Sequence, residues 1–164
     1  MARGIIRRRV ALPRFKQLLL AIFLFASCDG TVYHQFQEID GDGWGTADTL
    51  QFLYEGSGRV TAAAEMAVQV RYGAEYKYKD LCLRVETLNV DSALLSVDTL
   101  CCSIYDDRGC RLGSTAGSIY QNESQEVLLN ASCADTLLFK VSHIMADESL
   151  QYVYDVGVKI TRAN

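Results

Sequence analysis

The sequence predicts an all-β fold: a single antiparallel β-sandwich domain of about seven to nine strands, behind a short N-terminal export segment. Three observations carry this. Apolar and polar residues alternate at period two in several stretches, residues 28–164 hold no proline, and turns rich in glycine and aspartate separate the stretches. One dry and one wet face per strand is the pattern of antiparallel sheets, and two such sheets bury their dry faces against each other. A chain of 164 residues has room for one well-filled core and argues against a multidomain enzyme.

The elements follow in order. A first short strand lies around Val32 to Phe36, and Asp40-Gly41-Asp42-Gly43 turns the chain after it. Leu50, Phe52 and Tyr54 mark another strand. Glu55-Gly56-Ser57-Gly58 links it to a longer one, where Met66, Val68, Val70 and Tyr72 alternate with Ala67, Gln69 and Arg71. Ala62-Ala63-Ala64-Glu65 is a helix-forming run, but it is short and leads straight into that alternation. Leu81, Leu83 and Val85 alternate with Cys82, Arg84 and Glu86; residues 94–105 form a long strand, and Asp106 to Gly109 a hairpin loop. Leu137, Phe139 and Val141 repeat the pattern. At the C-terminus Tyr152, Tyr154, Val156, Val158 and Ile160 share one face, with Asp155, Gly157, Lys159 and Thr161 on the other. Spacing favours a sandwich over a barrel, and no linker or solenoid repeat divides residues 28–164.

Charge is uneven along the chain. The whole carries 16 basic and 20 acidic groups, net −4, but residues 1–27 hold six of the basic groups and no acid. Residues 28–164 are therefore left at −10, which excludes nucleic-acid binding as a default because phosphate contacts need a basic surface. Leu18 to Ala26 is an unbroken apolar run, far short of the roughly 20 residues a membrane span needs. A basic start, a short apolar run and small residues before a cut site make residues 1–27 a secretory signal. Ala26-Ser27-Cys28 looks like a bacterial lipoprotein signal, in which the Cys28 thiol is acylated, commonly with palmitate, and the chain is cut before it; Phe25 stands where Leu is usual. The alternatives are an uncleaved anchor and an ordinary cut beside a chance cysteine.

Beyond Cys28, five cysteines remain: Cys82, Cys101, Cys102, Cys110 and Cys133. An exported chain can form disulfides, but an odd number leaves a thiol over. Cys101 and Cys102 point to opposite faces of their strand. If Leu95 and Val97 face inward, Cys101 is in the core and Cys102 on the polar face, where a bond to Cys82 requires neighbouring strands. Free cysteines acting as small hydrophobes are the simpler expectation.

Catalytic patterns are sparse. His34 and His143 stand near no nucleophile motif and are expected at the surface or on strand faces, and Asp106-Asp107 reads as a solvated turn. Asp40-Gly-Asp-Gly43 with Asp48 faintly suggests a calcium loop, but Trp44 and Gln51 occupy positions where oxygen ligands belong, so a plain turn is preferred. No metal or cofactor is expected. Tyr72, Tyr76 and Tyr78 cluster beside Arg71, Lys77 and Lys79, the one basic spot on an acidic domain. With Trp44, they are the candidate partner-binding residues, although such aromatics more often fill cores.

Taken together the pieces resemble the gliding-motility lipoprotein GldH family of the Bacteroidetes. The matching residues are Cys28-Asp29, Val32-Tyr33, Phe36, Trp44, Asp48, Phe52, Arg71-Tyr72 and Tyr76-Lys-Tyr78-Lys-Asp80-Leu81. They continue through Asp98-Thr99-Leu100, Asp106-x-x-Gly109-x-x-Leu112-Gly113, Gly117-Ser118-x-Tyr120, His143-Ile-Met145, Leu150 and Asp155-Val-Gly157-Val-Lys-Ile160. Asp80 stands where the family tends to have Asn, and Arg111 near the place of its Trp. The resemblance implies a non-enzymatic protein, lipid-anchored to a membrane of the cell envelope. It would work beside other gliding-motility lipoproteins in that machinery or the type IX secretion linked to it. No acidic run follows Cys28, so a periplasm-facing position is preferred to surface display. A glycan- or peptide-binding lipoprotein is the alternative. Asp48-Thr49-Leu50, Asp98-Thr99-Leu100 and Asp135-Thr136-Leu137, with Asp91-Ser92-Ala93 as a variant, are similar to the O-glycosylation signal of that phylum, which makes Thr49, Thr99 and Thr136 candidate sites beside the reading of chance recurrence.

Overall fold

Twelve strands and no helix make up the residues that the structure, a computed structural model, describes: 30–39, 41, 43–56 and 62–163. Cys28, the leader, and parts of the Asp40–Gly43 and Glu55–Gly58 turns lie outside them. The strands are β1 (Thr31–Glu38), β2 (Trp44–Gly45), β3 (Leu50–Tyr54), β4 (Ala63–Tyr72), β5 (Asp80–Asn89) and β6 (Leu94–Ser103). They continue as β7 (Ser114–Ala116), β8 (Ile119–Glu123), β9 (Val127–Ser132), β10 (Leu137–His143), β11 (Ser149–Leu150) and β12 (Val153–Arg162). The count exceeds seven to nine because β2, β7 and β11 are only two or three residues long, and such pieces show no periodicity in sequence. The Ala62–Glu65 run enters β4 as strand, its apolar face committed to the core.

Two main sheets form, every pairing antiparallel. One has the order β1-β12-β4-β8-β7, with β9 also on β4; the other runs β3-β10-β5-β6; β11 and β2 make a small separate pair. Their inner faces meet in a single core. Met66, Val68, Val70 and Tyr72 of β4 and Val156, Val158 and Ile160 of β12 oppose Phe52, Leu81, Leu83, Val85, Phe139 and Val141, all fully buried. Each large side chain so buried contributes about 1.5–3 kcal/mol. Gly157 is required on the opposite face of β12, where a Cβ would lie 2.8 Å from the Phe36 ring. The Asp106–Gly109 hairpin forms as expected: Asp106 Oδ1 accepts from the amides of Arg108 and Cys110, and Gly109 takes φ +79°.

Two β-bulges change the expected faces. In β12 the register shifts between Val153 and Asp155, so Val153 is buried while Tyr152 and Tyr154 point outward. In β6 the register slips beside Leu95: Thr87 faces Ser96, but Leu88 faces Leu94. Val97 then lies outside, opposite Glu86, and with it Cys101; Leu100 and Cys102 face the core. Cys101, not Cys102, bonds Cys82 directly across the β5–β6 pair, with the Cα atoms 4.0 Å apart. Cys102 and Cys133 are buried free thiols, and Cys110 is an exposed one. Desolvation pushes the Cys102 thiol up to about 12.

Candidate functional site

The candidate tyrosines do come together, but inside the sandwich. Strand β4 delivers Tyr72, the following turn Tyr76 and Tyr78, and β8 Tyr120. Tyr72 stacks on Tyr120 at 5.8 Å and tilts against Tyr76 at 5.5 Å, which meets Tyr78 edge-on. The Tyr72 hydroxyl donates to Asn122 Oδ1 (2.7 Å), that of Tyr76 to the Asp80 carbonyl (3.1 Å), and that of Tyr105 to the Tyr76 carbonyl (3.3 Å). Burial raises the pKa of both Tyr72 and Tyr76. Rings and hydroxyls are thus taken up by internal contacts, so Tyr72 and Tyr76 are core residues and Tyr78 is half-buried.

Arg111 closes this cluster. Its guanidinium lies 4.1 Å from the Tyr120 ring centre and 4.8 Å from that of Tyr105, and donates to the Tyr105 hydroxyl and the Ala74 carbonyl. The guanidinium is a flat, delocalised group, which suits it to lie against these aromatic rings. The sequence singled out Arg111 only as a departure; nothing in its spacing announces that the hairpin folds it back onto Tyr120.

The two lysines of the basic spot are paired with carboxylates in the fold. Lys77 pairs with Asp147 at 3.1 Å and Lys79 with Asp107 at 2.6 Å, while Arg71 lies 3.7 Å over the Phe36 ring and donates to Gln121. Asp147 and Asp107 are held below the usual carboxylate range by hydrogen bonds, from Tyr78 and Lys77 in the first case and from Lys79 in the second. Trp44 is fully buried, donates to the Asp48 carbonyl and meets the His143 ring edge-on at 5.3 Å. His143 does lie on a strand face, but on the inner face of β10 with Phe139 and Val141 rather than at the surface, and it is 3% exposed where it meets Trp44 of β2. One ring nitrogen bonds the Trp44 carbonyl (2.9 Å) and Nδ1 has no partner, so desolvation lowers its pKa.

No group of three or more metal-ligating side chains occurs among the described residues. A cavity of about 840 Å³ opens between β6 and β8, lined by Thr99, Ser103, Gln121 and Asn122. Its walls mix hydroxyls and amides with the apolar Leu100, Leu112 and Val127 and the carboxylate of Glu123. On the outer face of the six-stranded sheet His34 meets Gln69 at 2.7 Å, and Lys159 pairs with Glu123 at 3.0 Å. Thr49 and Thr99 are exposed and Thr136 half-buried. Thr49 leads into β3 and Thr136 into β10 at opposite ends of that antiparallel pair, while Thr99 lies in mid-β6 opposite Arg84, so the three repeated motifs are not brought to one place.

Comparison with known proteins adds the context. Among curated protein sequences none matches this chain. Similarity to solved structures is weak. The family 35 carbohydrate-binding module of Abf62 from Cellvibrio japonicus aligns with TM-score 0.38 and 11% identity, over 80% of this chain and 99% of that one. A fructofuranosidase from Schwanniomyces occidentalis, complexed with fructose, aligns with TM-score 0.36 and 8% identity, over 80% of this chain and 34% of that one. Likenesses at that level say nothing of activity. The model of the GldH lipoprotein family, in contrast, matches residues 31–160, from the first residue of β1 almost to the end of β12. This chain belongs to the GldH lipoprotein family.

Proposed function

We propose that the protein is a non-enzymatic, lipid-anchored component of the cell envelope, acylated at Cys28 after removal of residues 1–27. It serves as an accessory subunit of the gliding-motility machinery or of the type IX secretion linked to it. The family match across the whole folded domain is the observation that carries this reading. The fold is consistent with it. The side chains singled out as binding candidates, Trp44, Tyr72 and Tyr76, are taken up by core packing and internal hydrogen bonds, and partners then meet strand edges and outer sheet faces. The domain faces the periplasm, with Thr49 and Thr99 open to O-glycosylation and Thr136 less so.

Metabolic labelling with a palmitate analogue tests the anchor: wild type is labelled and Cys28→Ser is not, and equal labelling of both sinks the proposal. Affinity purification from crosslinked membranes tests the complex, with other gliding-motility lipoproteins expected among the captured proteins. Glycoprotein staining should disappear on combined Thr→Ala changes at Thr49, Thr99 and Thr136; unchanged staining removes those sites.

A further inference from the structure

One end of the four-stranded sheet carries an unusual row of residues. Leu53 of β3, Leu138 of β10, Leu88 of β5 and Leu94 of β6 are register partners in succession, so they form a line across all four strands on the outer face. Leu53 is 53% exposed and Leu94 56% on the two edge strands, while between them Leu138 is half-buried and Leu88, at 7%, is covered by its neighbours. Val90, in the turn just beyond, is 69% exposed, so the uncovered surface consists of Leu53, Leu94 and Val90. Leu53, Val90 and Leu138 rim a shallow hollow of about 190 Å³. The next row inward changes character, running Gln51, Lys140, Glu86 and Val97, and the row after it includes Ser142 and Arg84. Along the sheet the surface therefore passes from leucine to charge within one step of the pleat.

This apolar end is also where the chain leaves its anchor. Two residues separate Cys28 from Thr31, the start of β1, a reach of roughly 10 Å even when extended. From Thr31 the strand leads to Tyr33, whose ring packs at 5.6 Å against that of Tyr54, the neighbour of Leu53. Tyr54 in turn donates to the Cys133 carbonyl, and Arg162 pairs in register with Ala64, at the same end.

We infer that this leucine row and Val90 form a bilayer-facing surface, pressed into the headgroup boundary by the short tether. The inference rests on the reading of Cys28 as lipidated. An acylated cysteine two residues from the fold leaves no room for the domain to stand away from the membrane, and the side held nearest the lipid is the one with uncovered leucines. Apolar side chains at that depth add to the hold of the acyl chains, while Lys140 and Arg84 lie at headgroup level. The slip beside Leu95 serves the same surface, because it turns Leu94 outward beside Leu88.

The test uses the mature lipidated protein, reconstituted into vesicles of phosphatidylethanolamine and phosphatidylglycerol with brominated acyl chains. Tryptophan is introduced by Val90→Trp at the proposed surface and by Arg108→Trp in the hairpin at the opposite end of β5. The emission added by Val90→Trp should be quenched and blue-shifted, and that added by Arg108→Trp should not. Leu53→Asp with Leu94→Asp should abolish the quenching while flotation with vesicles and the melting midpoint stay unchanged. Protein that floats with Val90→Trp unquenched, or quenched no more than Arg108→Trp, overturns the inference and leaves the anchor intact. Protein that fails to float, as Cys28→Ser should, removes the anchor and this surface with it.

Discussion

Burial of His143 places an ionisable ring where its neutral form is favoured. Desolvation lowers its pKa from the usual 6.5, against weaker opposing effects of the Trp44 carbonyl, Asp147 and Asp48. The unfolded chain therefore takes up the proton first as pH falls. This residue's contribution is undiminished above about 6.5 and is lost progressively below it, down to the folded pKa. The melting midpoint should drop between pH 7.5 and 5.5, and His143→Gln, which keeps a donor for the Trp44 carbonyl, should reduce that drop; an equal drop in both proteins refutes the assignment. Arg111 offers a second test. Arg111→Ala removes its contacts with Tyr120 and Tyr105 and should cost about 2 kcal/mol by urea denaturation. Cysteine reactivity follows burial: iodoacetamide at pH 8 should label Cys110 in the native protein, and Cys102 and Cys133 only after unfolding.

Among the elements, the Cys82–Cys101 bond closes a chain separation of 19 residues, so replacing both by Ser should cost about 3 kcal/mol, read from the urea midpoint. Non-reducing peptide mapping should recover this pair and no bond to Cys102. Most strands were legible in the sequence. β4, β5 and β10 place their apolar sets on the core face as alternation predicts, since their outer faces, Leu88 and Leu138 apart, are polar enough to leave the core face unambiguous. β6 was misread for the opposite reason. Leu94, Leu95 and Val97 are apolar on the outside, and periodicity cannot tell a core-facing stripe from one facing another apolar surroundings. At β12 the bulge near Tyr154 turned two tyrosines outward with no glycine or proline to signal it. The aromatic cluster was located correctly around Tyr72–Tyr78, but whether a tyrosine lies in a core or on a surface depends on what the distant β8 and the 105–111 hairpin bring over it.

At the scale of the molecule, anchor and fold are separable. If Cys28, which precedes β1 in the sequence, carries the proposed acyl anchor, Cys28→Ser should leave the melting midpoint of the domain unchanged while moving it from the membrane pellet to the soluble fraction. A lowered midpoint would mean that the anchor supports the fold. The adjacent pair Cys101–Cys102 has a consequence for the pairing of β6. A bond from Cys82 to Cys102 would require β6 to be turned over, exchanging its buried and outer faces. Once closed, the Cys82–Cys101 bond is therefore compatible with one register and one face of β6 alone, and it latches Leu100 and Cys102 onto the core side whenever the strands fray and pair again.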